Sequence, residues 1–188
     1  YIWKRTKRLL IPAYLWNIFY GGMVAFLGLF GFTIGAKPDL YNLFVMPFVD
    51  GEAFQYNLGS WFVYPLFLVC IINVLFRKFL KLIHLDNEFI VLIVYLAIGM
   101  IGINTAIGNP TAINGIVKLL VRTMFFLPCY EFGRFYKAVL EKKDTLNNVA
   151  YFAIIFAVQL ILLTFCKDLE YTPSSFTKFN NGFIIPYI

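Results

Sequence analysis

Residues 1–16 read YIWKRTKRLLIPAYLW, and this stretch sets four cations within five positions before an apolar run that continues almost to residue 32. The cations are Lys4, Arg5, Lys7 and Arg8. A run of this length can cross a bilayer core, which requires about 20 mostly apolar residues. Basic residues beside a span favour the cytoplasmic side. The stretch therefore predicts a membrane-spanning helix with a cytoplasmic basic collar.

The composition of the whole chain supports a membrane protein. The 188 residues are 61% hydrophobic and 14% charged, whereas soluble domains are about 45–50% apolar and about 25% charged. Five apolar runs are long enough to span, and a sixth begins near the end of the sequence. They lie at about 9–32, 58–76, 89–108, 113–133 and 147–166, with the sixth from Phe183 onward. The runs are continuous rather than alternating, so they predict an all-α transmembrane helix bundle in one membrane domain, residues 1–188.

The distribution of cations gives this bundle an orientation. Alternate connections hold eleven of the sixteen Lys and Arg residues, and the opposite connections hold three. This imbalance predicts that the richer side is cytoplasmic. The eleven are Lys4, Arg5, Lys7, Arg8, Arg77, Lys78, Lys81, Arg134, Lys137, Lys142 and Lys143. The net charge of +6 is explained by these membrane-edge cations and requires no nucleic-acid partner.

The predicted outer segment, residues 33–60, mixes carboxylates with aromatic side chains. Asp50 and Glu52 follow the short apolar stretch YNLFVMPFV, which cannot span a bilayer. Carboxylates among aromatic residues are suited to binding a sugar. An ordinary interfacial loop explains the same composition.

Motifs for a soluble active site or a metal centre are absent from the sequence. Cys70, Cys129 and Cys166 have no metal-ligand spacing, and His84 is the only histidine. No metal or tightly bound cofactor is predicted.

Three ionisable residues within the fourth run are candidates for function. Lys118 and Arg122 are four residues apart and share one helix face, and Glu131 follows toward the cytoplasmic end. Charges inside a membrane usually face a bundle interior or a wet cavity. Lys118 is also long enough to reach the outer surface from its position. A pair between Glu131 and Arg134 would be purely structural.

Three segments together resemble the acyltransferase-3 family of polytopic membrane acyltransferases. They are KRTKRLLIPAYLW, NLGSWFVYPLFLVCIINVLFRK and LLVRTMFFLPCYEFGRFY. The resemblance implies transfer of an acyl group from acyl-CoA to a hydroxyl of a sugar or a cell-envelope polysaccharide. The expected acyl group is acetyl. It also implies a bacterial plasma-membrane location and acyl-CoA as the co-substrate.

The family's motifs are carried over by position. Its RxxR pair, associated with acyl-CoA, matches Arg5 and Arg8, and its Trp-Phe pair matches Trp61 and Phe62. Many members have a histidine just before this tryptophan, where the present sequence has Gly59-Ser60. An arginine before an aromatic run matches Arg122.

The family's essential histidine lies on an earlier membrane helix, so the sequence is expected to be an internal fragment whose catalytic residue precedes Tyr1. Two other classes of protein suit the composition. In a transporter or polysaccharide-export subunit, Lys118 and Arg122 would line a path through the membrane. In a non-catalytic membrane scaffold, every intramembrane charge would be part of a structural pair.

Overall fold

The computed structural model describes residues 1–32, 38–46, 61–108 and 115–165, which contain helices and no strands. The all-α prediction is therefore confirmed for this part of the chain. The five long helices are α1 (Ile2–Leu29), α2 (Val63–Leu82), α3 (Glu88–Gly108), α4 (Gly115–Phe135) and α5 (Asn148–Phe165). Shorter helical turns cover Tyr41–Val45, Tyr136–Leu140 and Glu141–Lys143.

Four of these helices, α1, α2, α3 and α5, are long and apolar enough to cross a membrane. The predicted fourth run is the 21-residue helix α4, but its ionisable residues keep it outside this group. They are Lys118, Arg122, Glu131 and Arg134. The predicted sixth run, from Phe183, lies outside the described residues. The predicted count of five spans and a sixth is therefore not confirmed.

Two helices extend beyond the apolar runs that predicted them. The first helix begins at Ile2 rather than near residue 9, so the basic collar is itself helical. A π-helical turn over Thr6–Leu10 precedes Pro12, because a proline ring clashes with the carbonyl four residues earlier and disturbs regular α-helical bonding. Helix α2 continues to Leu82 rather than ending near residue 76, and it thereby carries Arg77 within the helix.

The core of the bundle is built from α2, α3 and α4. Helices α3 and α4 pack through Ile103, Ala106, Val121 and Phe125. A second cluster joins all three helices through Val69, Leu80, Val91, Tyr95 and Leu127. Helix α1 joins this core at a third cluster, in which Leu10 packs with Tyr64 and Leu119.

A glycine permits the close approach of α3 to α4. A Cβ atom on Gly102 would lie 2.9 Å from Met124 Cβ and 3.5 Å from the Val121 carbonyl oxygen. Gly133 of α4 is different, because a Cβ atom there would meet nothing within 4 Å. The two glycines are therefore a matched pair for testing this contact.

We expect Gly102→Ala to lower the free energy of unfolding by about 1–3 kcal/mol, because the added methyl group separates two packed helices. Gly133→Ala should leave stability unchanged or raise it by up to about 1 kcal/mol, since alanine is the better helix former. Reversible unfolding in mixed micelles measures both changes. Equal shifts for the two variants would contradict the close packing at Gly102.

Helix α5 is joined to the preceding residues by a small polar cluster at its start. The hydroxyls of Tyr136 and Tyr151 both donate to the Asp144 carboxylate, and the two hydroxyl oxygens lie 3.0 Å apart. Asn147 accepts a hydrogen bond from the Ala150 backbone N–H and caps the helix. No residue of α5 is buried, so the helix presents its apolar surface to its surroundings along its whole length.

Candidate functional site

A buried polar network links α2, α3 and α4 near the end of the bundle that is predicted to be cytoplasmic. Its centre is Arg77 of α2, which is 8% exposed. One terminal nitrogen of Arg77 lies 3.0 Å from Asp86 and 3.0 Å from Glu88, and the other bonds to Glu88 and Glu131. A single guanidinium thus bridges the α2–α3 connection, the start of α3 and the last third of α4.

The α4 side of the network has a second set of bonds. Asn73, one turn before Arg77, donates to Glu131 at 3.0 Å and accepts from Arg134 at 2.9 Å. Tyr95 of α3 lies 3.5 Å from the same Asn73 amide nitrogen. Glu131 is fully buried, with 0% exposure. Its carboxylate is therefore held by donors from α2, as burial of a charge requires.

Glu131 and Arg134 do not form an ion pair with each other at the end of α4, the structural pair that their sequence positions allow. Glu131 bonds to Arg77 and Asn73 instead, while Arg134 lies 3.9 Å from Glu88. Residues three apart on one helix are neighbours, but here both side chains turn toward α2 and α3. Glu131 is thus part of an interhelical contact.

Most of this network was not predicted from the sequence. Arg77 was predicted to be a loop cation, and Asn73 and Tyr95 were not singled out. A detectable signal was present, because Asn73 and Arg77 lie four residues apart and so share one face of α2. The network contains three carboxylates and, with Lys81 at 3.8 Å from Asp86, three cations. This balance of charge favours a structural role.

Arg5 of the basic collar lies in a different environment. Its Nε donates to the Tyr1 hydroxyl at 3.1 Å, and its guanidinium stands 5.1 Å above the centre of the Tyr1 ring. The Tyr1 hydroxyl lies 3.4 Å from the hydroxyl of Tyr130 on α4. Arg5 is half-buried and Arg8 is exposed. No contact that the structure describes joins the two arginines to each other.

The two collar arginines have no acidic partner in the described ranges. Within those ranges, no carboxylate oxygen lies within 4.0 Å of Arg5 or Arg8, whereas Arg77 and Arg134 both meet carboxylates. Among the described residues, no carboxylate balances the charge of these two arginines. A guanidinium in this state is well suited to bind a phosphate or a carboxylate from a ligand.

Arg122 lies inside the bundle, in the half predicted to be outer. Its side chain is 1% exposed, and its guanidinium carbon lies 5.3 Å from the centre of the Trp61 ring. Trp61 also packs against Phe126, with ring centres 5.8 Å apart. The prediction that Arg122 faces the bundle interior is confirmed. Cation–π contact with tryptophan contributes to holding such a charge away from water.

The remaining predicted residues are dispersed. Lys118, one turn before Arg122, is half-buried. Asp50 and Glu52, predicted to face an acceptor, lie outside the described residues, as does Cys166. Cys70 is buried and Cys129 is exposed, and both are free thiols. The structure therefore brings together Arg122 and Trp61. Arg5 instead lies beside Tyr1, whose hydroxyl is close to Tyr130 further along α4.

Comparisons with protein-family models, curated proteins and solved structures found no match to this chain.

Proposed function

We propose that this chain is part of a membrane acyltransferase, which transfers an acyl group from acyl-CoA to a hydroxyl of a sugar or cell-envelope polysaccharide. In this proposal the acyl group is acetyl, and the protein lies in the plasma membrane of a bacterium. The supporting observation is the pair of collar arginines, Arg5 and Arg8, for which the described residues supply no carboxylate. The proposal also rests on the resemblance of three sequence segments to acyltransferase-3 proteins.

Acyl-CoA is a suitable ligand for this collar because it carries phosphates and is a cytoplasmic metabolite. The planar guanidinium fork matches phosphate oxygens in a bidentate geometry that lysine cannot reproduce. Arg5 is held by Tyr1 through Nε, which leaves both terminal nitrogens directed away from that bond. In this proposal Arg5 and Arg8 bind CoA phosphates, and the thioester extends into the bundle.

The acceptor would enter from the opposite side, near Trp61 and Arg122. Its hydroxyl oxygen attacks the thioester carbonyl, the C–S bond breaks, and CoA leaves as the thiolate or thiol. The hydroxyl proton passes to a general base, which the resemblance identifies as a histidine on an earlier membrane helix. No residue of this chain is assigned to that role. Arg122, a fixed positive charge in a water-poor region, would stabilise negative charge that develops during acyl transfer.

Acyl-CoA affinity tests this proposal against a purely topogenic collar. We expect Arg5→Lys with Arg8→Lys to weaken binding about tenfold or more, because each charge-assisted hydrogen bond contributes roughly 1.5–3 kcal/mol. Isothermal titration of the purified protein with acetyl-CoA measures the change. The total charge of the collar is unaltered, so membrane orientation should be preserved.

Lys4→Arg and Lys7→Arg are the matched controls, since they exchange the same two side chains at neighbouring positions and should change affinity little. If the double lysine variant binds acetyl-CoA as tightly as the parent, the collar has only a topogenic role. A transporter or a scaffold would then account for the charges of the bundle equally well.

A further inference from the structure

The Arg5 cluster contains more hydrogen-bond donors than its own residues can use. Arg5 has five N–H donors, and one of them, on Nε, bonds to the Tyr1 hydroxyl oxygen at 3.1 Å. The four donors on the terminal nitrogens have no acceptor in the parts of the chain that the structure describes. Arg5 is only half-buried, so a ligand can reach this edge of the guanidinium.

The two phenols add a further donor. Tyr1 and Tyr130 hydroxyl oxygens lie 3.4 Å apart, a long hydrogen bond in which either group can donate. If Tyr1 donates to Tyr130, the Tyr130 proton has no acceptor among the described residues. If Tyr130 donates, the Tyr1 proton is left in the same position. In both arrangements one phenolic O–H remains available beside the guanidinium.

We infer that Arg5, Tyr1 and Tyr130 form one binding site for a phosphoryl group, with Tyr130 as a residue of that site that sequence reasoning did not identify. The set offers donors and one positive charge, and no carboxylate of the described residues opposes it. Donors of this kind select a group rich in acceptor oxygens and negative charge. A neutral ligand would leave the positive charge of the Arg5 guanidinium unbalanced.

The position of Tyr130 gives the site a rigid wall. Tyr130 belongs to α4 and packs against the buried cluster of Val69, Val91 and Leu127. Its neighbour Glu131 is fixed by Arg77 and Asn73. The hydroxyl is therefore presented by a well-packed helix, whereas Arg5 lies on α1. A phosphoryl group bound here would contact both helices and hold them together.

This inference rests on the proposed function for the source of the phosphoryl group, which is CoA. A phospholipid headgroup has the same chemistry and is the other source. The two sources can be distinguished with purified protein in two kinds of nanodisc, one of phosphatidylcholine alone and one that also contains phosphatidylglycerol. Binding of free coenzyme A is measured in both. Retained phosphatidylglycerol is measured by native mass spectrometry of the same preparations.

We expect Tyr130→Phe to weaken coenzyme A binding about threefold to tenfold, as loss of one hydrogen bond predicts. Tyr20→Phe is the matched control, because it removes a hydroxyl from an accessible position on α1 that has no described polar partner, and it should leave affinity unchanged. In an Arg5→Lys background the effect of Tyr130→Phe should fall, since the two residues bind one group. A purely structural tyrosine would give the same fold-change in both backgrounds.

Two other results would overturn either the inference or the proposed function. If Tyr130→Phe binds coenzyme A like the parent, the site does not include Tyr130 and the inference is overturned, while the proposed function stands. If the parent binds no coenzyme A but retains phosphatidylglycerol in a manner that Tyr130→Phe abolishes, the phosphoryl site is supported with a lipid as its ligand. The proposed function would then be the part that fails.

Discussion

Replacing Glu131 with alanine is expected to lower the free energy of unfolding by about 3–5 kcal/mol, because the variant breaks a buried ion pair from one side. Glu131 has 0% exposure and bonds to Arg77, which is itself 8% exposed. The substitution also removes the acceptor for Asn73. Arg77 retains Asp86 and Glu88 as partners, which places the expected value toward the lower end of the range. Unfolding in mixed micelles measures it.

Glu141→Ala is the matched control, since Glu141 is exposed and forms no described ion pair. The free energy of unfolding of this variant should stay within about 0.5 kcal/mol of that of the parent. A double-mutant cycle with Arg77→Met isolates the pairwise term. A Glu131→Ala protein as stable as the Glu141→Ala protein would contradict the network as the link between α2 and α4.

The second large effect is expected at Arg122, where leucine should reduce acyl transfer about a hundredfold or more. In the proposed reaction this guanidinium stabilises developing charge, and loss of one such group typically has an effect of about 10²–10³-fold. Leucine is more favourable than arginine in a membrane helix, so the variant should still insert. Activity should therefore fall while the amount of membrane-inserted protein is maintained.

Two conservative variants sharpen this measurement. Arg122→Lys keeps the charge and Trp61→Phe keeps an aromatic ring, so both should retain more activity than Arg122→Leu. The assay is transfer of labelled acetyl groups by the complete protein in proteoliposomes. Normal transfer by the leucine variant would show that Arg122 has no part in the chemistry.

Run length alone placed α3 and α5 well, because both are apolar from end to end. The predicted runs 89–108 and 147–166 correspond to Glu88–Gly108 and Asn148–Phe165. The apolar run of α2 stops at Phe76, so run length predicts a loop from Arg77 onward, whereas the helix continues to Leu82. Arg77 remains in the helix because Glu88 and Glu131 compensate its charge. That compensation arises from tertiary contacts, which run length does not include.

The environment of a site residue could be predicted where it follows from the position of that residue alone. Arg122 is far inside an apolar run, so the cost of exposing it to hydrocarbon predicted its burial. The partner of Glu131 was not predictable, because Arg134 and Arg77 are both compatible with its sequence position and only the packing of α2 against α4 selects between them. Tyr130 resembles an ordinary aromatic residue of a membrane helix until α1 is placed beside it.

The charged residues of α4 also have a consequence for biogenesis. At the centre of a lone helix in lipid, each arginine or lysine costs roughly 2.5–3.5 kcal/mol on translocon scales, and α4 carries four ionisable side chains. Helices α2 and α3 are apolar enough to enter the bilayer independently and then associate, as in two-stage assembly. Helix α4 lacks that independence, since its Glu131 and Arg134 side chains find their partners on α2 and α3. We therefore expect the translocon to release α4 into lipid only after α2 and α3 are in place, so that these earlier helices act as an intramolecular insertion chaperone for the later one.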